Sequence, residues 1–157
     1  GVLRLACDVA AGMVDLHVLS PAVLHRDLTT HNVLLFTKPG RPEELRACVA
    51  DLGLAVQGEQ AGGRVLTPIG RLRYMAPEIM QGLPYTKHSD VFMFGHLLCE
   101  LITGAKPFPE LSAREATRRV LRGETSPLPA YCPPFLAKLT RACWEQKPKN
   151  RPKFQEL

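Results

Sequence analysis

Small and apolar residues near the start of the chain recur with the period of a helix. The stripe runs at three- and four-residue steps through Leu3, Ala6, Ala10, Met13 and His17, and the nearby charged residues fall off it. This spacing predicts an amphipathic helix with one buried face.

The pattern then changes to two short apolar runs at residues 32–36 and 47–50. They flank a polar loop that holds Pro39, Gly40 and Pro42, and they predict a small antiparallel strand pair. Residues 51–78 contain five glycines and neither period. We predict a long irregular loop there, and loops of that length in compact domains are usually functional.

The rest of the chain predicts helices whose ends carry capping or helix-breaking residues. They run from a Ser89 cap to Gly104, from a Ser112/Glu115 capping box to about Gly123, and from about Pro133 until Pro148 stops the helix. Another helical turn begins within residues 152–157. The fold class predicted is α+β and predominantly helical, with a short β-hairpin. Since the first residue already lies inside a helix and the last inside a helical turn, we expect a longer domain that continues at both ends.

Composition narrows the class of protein. A chain of 157 residues with 45% hydrophobic content suits one domain with a core. The net charge of +5 is spread along the chain without interleaved aromatic residues, so we expect no nucleic-acid partner. The densest basic stripe, Arg114, Arg118 and Arg122, fits a solvated helix face or a docking surface for acidic segments.

The spacing of the cysteines argues against a zinc site, and the hydropathy argues against a transmembrane helix in this part of the protein. No pair among the five cysteines has the two-residue spacing of a zinc clip, so they read as thiols of a reducing compartment. The most apolar stretch, residues 91–102, is too short to cross a bilayer. We expect a cytoplasmic protein with no membrane segment in this part, and a transmembrane segment elsewhere in the protein stays open.

The run from His25 to Asn32, HRDLTTHN, resembles the catalytic loop of protein kinases. Phosphoryl transfer needs a carboxylate that orients the incoming hydroxyl and accepts its proton, and a magnesium ligand near it. By this resemblance Asp27 is the catalytic base and Asn32 the magnesium ligand. Nineteen residues later, Asp51-Leu52-Gly53 resembles the metal-binding DFG motif with Leu in place of Phe. Carboxylate and amide oxygens suit magnesium, so Asp51 completes the metal site.

Further motifs follow in the order found in kinases. They are YMAPE at residues 74–78, which resembles the end of an activation segment, SDVFMFG at 89–95, which resembles the start of the central helix, and Cys143-Trp144 with Arg151-Pro152, which resemble the terminal signature. The chain is similar throughout to the C-terminal lobe of a eukaryotic-type protein kinase, most like the tyrosine-kinase-like group.

The resemblance implies ATP and Mg²⁺ as cofactors and assigns supporting roles. Leu34 is expected on the floor beneath adenine, with Leu97 and Leu101 stacked below it. His25 and Leu52 are expected to pack together in the column of side chains that aligns an active kinase.

Other residues are implied to hold the lobe together. Glu78 and Arg151 should form a buried ion pair, and Asp90 should accept backbone hydrogen bonds from the catalytic loop. Thr67, eleven residues before Glu78, matches the usual regulatory phosphosite, whose phosphate could pair with Arg26. Thr67-Pro68 as a plain turn is the alternative.

Two positions depart from the serine/threonine-kinase pattern. Thr29 stands where Lys usually steadies the transferring phosphate, and Arg71 stands where Thr usually follows the glycine of the substrate-facing loop. The changes suggest a shifted hydroxyl specificity or weakened catalysis.

We expect a kinase acting on Ser or Thr, or on Tyr, of protein substrates. The alternative is a pseudokinase that binds or scaffolds. The N-terminal lobe is expected to pack on the upper face, and without it this chain should be inactive.

Overall fold

A computed structural model of the chain describes residues 1–58 and 69–157. The predicted first helix is present as α1, Val2–Val18. Its buried residues are Ala6, Val9, Met13 and His17. Leu3, which the sequence pattern placed on the buried stripe, is 48% exposed. The helix itself is therefore confirmed, and the inward face is turned slightly toward Val9.

The strands form two small antiparallel pairs. Strand β1 is Val23–Leu24, β2 is Val33–Lys38, β3 is Arg41–Val49 and β4 is Val56–Gln57. β1 pairs with β4, and β2 pairs with β3. The β1–β4 pair ties the segment before the HRDLTTHN loop to the segment after Asp51.

The predicted hairpin exists, but its predicted polar loop is wrong. Lys38 pairs with Arg41, so only Pro39 and Gly40 form the turn, and Gly40 has φ 76°. That left-handed conformation suits a residue without a Cβ. The strands extend beyond their apolar runs because backbone pairing needs no apolar side chains where the ribbon faces solvent.

The described helices after the strands are α2 Pro77–Met80, α3 Lys87–Thr103, α4 Ala113–Leu121 and α5 Pro134–Cys143. Short 3₁₀ turns are Thr30–Asn32, Ile69–Tyr74, Pro148–Asn150 and Phe154–Glu156. The predicted long loop thus contains β4, a 3₁₀ turn and the start of α2. The capping box predicted for α4 is confirmed, because Ser112 Oγ accepts from the Glu115 N–H and Glu115 accepts from the Ser112 N–H.

Two predicted helix ends are wrong. α3 begins at Lys87 with Thr86 as its N-cap, and Ser89 lies in the first turn, where its hydroxyl accepts from the Thr86 N–H at 3.2 Å. α5 ends at Cys143, five residues before Pro148. The chain turns away there because Trp144 is buried in the core, only 2% exposed.

Helix α3 forms the centre of the core. Its residues from Ser89 to Cys99 are buried, and α1 and α5 pack against it. Gly104 ends α3 in the left-handed conformation, with φ 70°. The predicted α+β class, mostly helical with a small antiparallel sheet, is confirmed. Within the described residues, no helix is long and apolar enough to cross a membrane. All five cysteines are free thiols.

Candidate active site

The HRDLTTHN loop lies between β1 and β2 and is buried at its centre. His25 is 0% and Asp27 2% exposed. Arg26, between them, has φ 68°, a conformation that costs a side-chain-bearing residue about 1–2 kcal/mol. Such strain persists only where surrounding contacts over-determine the backbone.

Asp90 at the start of α3 supplies those contacts. Its carboxylate accepts from the backbone N–H of His25 and of Arg26, each at 2.9 Å. It also accepts from the Tyr85 hydroxyl at 2.7 Å and from His17 Nε2 at 2.8 Å. Asp90 is fully buried, and these four donors satisfy its charge. The backbone contact implied by the resemblance is present, and the loop is fixed one residue before Asp27.

Asn32 closes the loop on Asp27. The Asn32 side-chain N–H₂ donates to the Asp27 carbonyl oxygen at 2.7 Å and to Asp27 Oδ2 at 2.5 Å. The Asn32 backbone N–H donates to the Thr29 carbonyl in the 3₁₀ turn. Because both amide hydrogens point at Asp27, the Asn32 carbonyl oxygen Oδ1 is left for another ligand.

Asp51 is brought to the same face through the residue before it. The Ala50 N–H donates to the Asn32 carbonyl at 2.8 Å, and His25 Nε2 donates to the Ala50 carbonyl at 3.1 Å. Asp51 itself is exposed, has φ 60°, and its Oδ1 accepts from the Gly53 N–H at 3.1 Å. One backbone and one side-chain hydrogen bond therefore fix Ala50, the residue before Asp51, against Asn32 and His25.

These side chains fit a magnesium site of oxygen donors. Asn32 offers one amide oxygen and Asp51 an exposed carboxylate, which are the ligand types that Mg²⁺ prefers alongside phosphate oxygens and water. Within the described residues, no group of three His, Cys, Asp or Glu side chains forms a cation site.

Strand β2 separates an exposed leucine from an apolar cavity. Leu34 is 60% exposed, on the face opposite its neighbours. Val33 and Leu35 line a small cavity together with Leu97 and Leu101 of α3. Leu97 and Leu101 therefore face the two residues that flank Leu34, and the role of Leu34 beneath adenine stays a prediction.

His25 and Leu52 lie in different environments. The His25 ring is fully buried on the Ala50 carbonyl. Leu52 is 52% exposed and lines a groove with Leu16 of α1 and Val49 of β3. Their packing in one column stays a prediction.

Glu78 and Arg151 are paired at the other end of the described loop. Arg151 Nη1 and Nη2 donate to Glu78 Oε1 and Oε2 at 2.7 and 2.8 Å. The contact implied by the resemblance is therefore present, and it joins α2 to the C-terminal turns.

Four further positions from the sequence analysis are Thr67, Arg71, Thr29 and Arg26. Thr67 lies outside the described residues, as does the side chain of Arg71. Thr29 is buried, 5% exposed, within the loop. Arg26 lies with its guanidinium carbon 6.0 Å from the Tyr85 ring centre, and its buried Nε has no hydrogen-bond partner in the described part of the chain.

Sequence reasoning missed several supporting residues. His17 and Tyr85 bind Asp90, and Glu100 of α3 accepts from Thr30 Oγ1 at 2.6 Å and from the Tyr74 hydroxyl at 2.5 Å. Burial and the Glu100 carboxylate raise the pKa of the Tyr74 phenol. Thr30 and Tyr74 lie within motifs and His17 lies on the buried stripe of α1, but no sequence pattern singled out Tyr85 or Glu100.

The HRDLTTHN loop thus lies in a predominantly helical α+β fold, between β1 and β2 and against α3. A family model described as protein tyrosine and serine/threonine kinase matches residues 1–157. The chain therefore belongs to the protein kinase family, and its α+β fold is that of a kinase C-terminal lobe.

Individual relatives are similar over nearly the whole chain. Serine/threonine/tyrosine-protein kinase HT1 of Arabidopsis thaliana is 41% identical over 160 residues, covering 99% of this chain and 38% of that protein. Probable serine/threonine-protein kinase drkD of Dictyostelium discoideum is 36% identical, covering 99% of this chain and 11% of that protein. The chain thus spans a minor part of the length of each relative.

Proposed function

We propose that the protein carrying this chain transfers the γ-phosphate of ATP to hydroxyl groups of protein substrates, with Ser and Thr favoured over Tyr. One observation carries the proposal: the Asn32 amide binds both the carbonyl and the carboxylate of Asp27, in a loop held by Asp90. This arrangement holds a carboxylate and a metal-ligand oxygen side by side. The relatives' names, which include serine/threonine and serine/threonine/tyrosine kinases, support the substrate class.

In this proposal Asp27 orients the substrate hydroxyl and accepts its proton as phosphate transfer proceeds. Asn32 Oδ1 and the Asp51 carboxylate would hold Mg²⁺, which supplies charge neutralisation to the phosphates when bound. Leu34 would form the apolar floor beneath adenine. The hydrogen bonds to Asp27 fix the carboxylate before substrate arrives, so that little reorganisation is needed during the reaction.

The upper face of the chain would receive a second, nucleotide-clamping lobe. Exposed leucines and a phenylalanine gather on the β2–β3 ribbon and the segment after it. They are Leu34 and Phe36 on one face of the ribbon, Leu35 and Leu45 on the other, and Leu52 and Leu54 after it, each more than 40% exposed. A patch of this kind marks an interaction surface. We therefore expect turnover by the two-lobed domain and none by residues 1–157 alone.

The test is phosphate transfer by the complete protein with Mg-ATP and a general protein substrate such as myelin basic protein. Asp27→Asn should abolish transfer, with a loss of at least about a hundredfold, while nucleotide binding persists. Asp15→Asn, at an exposed position on α1, is the control and should be neutral. Phosphate transfer by Asp27→Asn at the wild-type rate would contradict the assignment of Asp27 as the catalytic base.

A binding or scaffold role without turnover is the second candidate, and Thr29 favours it. A buried hydroxyl there leaves no cation at the position where Lys usually contacts the transferring phosphate. Phosphate transfer from Mg-ATP distinguishes the kinase from the pseudokinase. A kinase binds Mg-ATP and turns it over, whereas a pseudokinase shows thermal stabilisation by a partner with no phosphate transferred.

Regulation by phosphorylation of Thr67 is part of the proposal. Arg26 supports it, because it is the arginine of the catalytic loop and its guanidinium could pair with a phosphate on Thr67. Thr67→Ala should lower activity of the complete protein after treatment with an upstream kinase or autophosphorylation. Equal activity of the two forms would reject this role.

A further inference from the structure

A cavity of about 280 Å³ lies where α1, the start of α3 and the last 3₁₀ turn meet. Its lining side chains are His17, Lys87, His88, Val91, Lys153 and Gln155. Two lysines and two histidines thus face one cavity, and none of the described residues that line it is Asp or Glu. Asp27, Asn32 and Asp51 do not line it either, so the cavity is separate from the candidate active site.

The walls of the cavity are anchored in the core. The His17 ring packs edge-on against the buried Phe154, with the ring centres 5.2 Å apart. The residues on either side of Phe154 line the cavity, so this contact holds the stretch that carries them. On the α3 side, the His88 carbonyl accepts from Arg151 Nη1 at 2.9 Å. The basic side chains therefore project from fixed backbone.

The ammonium groups of Lys87 and Lys153 have no counter-charge from the protein. In the part of the chain that the structure describes, neither lysine forms an ion pair. The carboxylate of Glu156 accepts from the backbone N–H of Lys153 at 2.8 Å. A concave site lined by charges of one sign concentrates ions of the opposite sign, because its protein walls have a low dielectric constant. The cavity thus favours an anion.

We propose that this cavity binds a phosphate group, with Lys87 and Lys153 balancing its charge. Lysine ammonium groups bind phosphate oxygens through charge-assisted hydrogen bonds. A phosphate group carries up to about two negative charges at neutral pH, whereas a carboxylate carries a single charge and would leave one ammonium unbalanced. A cavity of this size has room for several water molecules, and so for a phosphate group.

The phosphate site lies behind the anchor of the catalytic loop. His17 Nε2 is hydrogen-bonded to Asp90 Oδ2 at 2.8 Å, and Asp90 accepts from the backbone N–H groups of His25 and Arg26. A ligand that contacts α1, α3 and the last turn together stabilises the packing in which this anchor forms. Phosphate binding itself is independent of the proposed kinase function, and only its consequence for the catalytic loop rests on that function.

The test is calorimetric titration of the complete protein with sodium phosphate, with a saturating non-hydrolysable Mg-ATP analogue present to occupy the nucleotide site. We expect wild type to bind phosphate, and Lys87→Gln/Lys153→Gln to bind it at least about tenfold more weakly. The control Lys106→Gln/Lys138→Gln removes the same charge at exposed positions and should leave the Kd within about twofold. No binding by wild type, or an equal Kd for Lys87→Gln/Lys153→Gln, would overturn the proposal.

Two further measurements separate a phosphate site from general charge attraction and from misfolding. Sodium acetate at the same ionic strength should bind at least about tenfold more weakly than phosphate, and an equal Kd would overturn the assignment to phosphate. Phosphate should raise the Tm of wild type more than that of Lys153→Gln, a single change at an exposed position. An equal rise in Tm would contradict the site. O-phosphoserine in place of inorganic phosphate distinguishes a phosphate carried by another molecule from the free ion, according to which binds more tightly.

Discussion

Glu78 and Arg151 are 73 residues apart in the chain and form a two-pronged ion pair in the core. Their side chains are 5% and 0% exposed. Ser89 Oγ donates to Glu78 Oε1 at 2.8 Å, and Arg151 donates to the carbonyls of His88 and Glu145 at 2.9 and 2.7 Å. Each buried charge therefore has partners beyond the other charge, which is the condition under which such a pair is tolerated.

Removing one partner of this pair should destabilise the fold strongly. Glu78→Gln leaves the Arg151 charge buried and should lower the free energy of unfolding by about 3–5 kcal/mol. Arg41→Gln, which breaks an ion pair whose arginine side chain is 60% exposed, should cost less than about 1 kcal/mol. Denaturant unfolding of the three proteins gives the comparison. Similar losses of unfolding free energy for Glu78→Gln and Arg41→Gln would show that burial does not set the cost of breaking the Glu78–Arg151 pair.

Replacing Asp90 should disturb the catalytic loop. Asp90→Asn keeps the shape but turns an N–H₂ group toward donors that need an acceptor. We expect a loss of about 2–4 kcal/mol of stability and a fall in kcat that exceeds the effect on KM for ATP. Steady-state kinetics of the complete protein, with the exposed-site variant Asp15→Asn alongside, measures this. A stable Asp90→Asn protein with wild-type kcat would contradict the anchoring role.

Gly95 allows α3 and α5 to approach closely. A Cβ built on Gly95 would lie 2.8 Å from Trp144 Cδ1 and 2.9 Å from Cys143 Cβ. Gly95→Ala should therefore destabilise by about 1–3 kcal/mol, although alanine is intrinsically the better helix former by about 1 kcal/mol. Gly12→Ala in α1, where the nearest atom is Val49 Cγ2 at 3.3 Å, is the control. Gly95→Ala should have a clearly lower Tm than Gly12→Ala. A lower Tm for Gly12→Ala would contradict the close packing of Gly95 against Cys143 and Trp144.

His96 should make stability depend on pH. It is 1% exposed among the rings of Tyr74, Phe92 and Trp144. Burial, with a smaller effect of Arg73, lowers its pKa to about 3. Between pH 6.5 and 3 the unfolded chain therefore binds the proton and the folded chain does not, so stability falls as the pH falls.

The expected loss from His96 between pH 7 and 5 is about 2 kcal/mol. His96→Phe keeps an aromatic ring and removes the titration, so its unfolding free energy should fall less over the same range. Denaturant curves for both proteins at the two pH values test this. Parallel losses would mean that other groups account for the acid sensitivity.

Much of the fold could be predicted because burial of one face leaves a local period. The stripe through Ala6 and Met13 marked α1, and Ser112 with Glu115 marked the start of α4. The polar half of β3 was missed because solvent-facing backbone pairing leaves no apolar signal, and the end of α5 was missed because burial of Trp144 is a tertiary effect.

Some residues of the candidate site could be predicted from the sequence, and others were identified only by the tertiary structure. Asp27, Asn32 and Asp51 were predicted from the sequence through its resemblance to kinase motifs, and their catalytic and metal-binding roles stay predictions. The contacts of His17 and Tyr85 with Asp90, and the cavity lined by basic residues, were decided only by tertiary structure. They join residues that are far apart in sequence or carry no motif of their own, and nothing local distinguishes a lysine that lines a cavity from one that faces water.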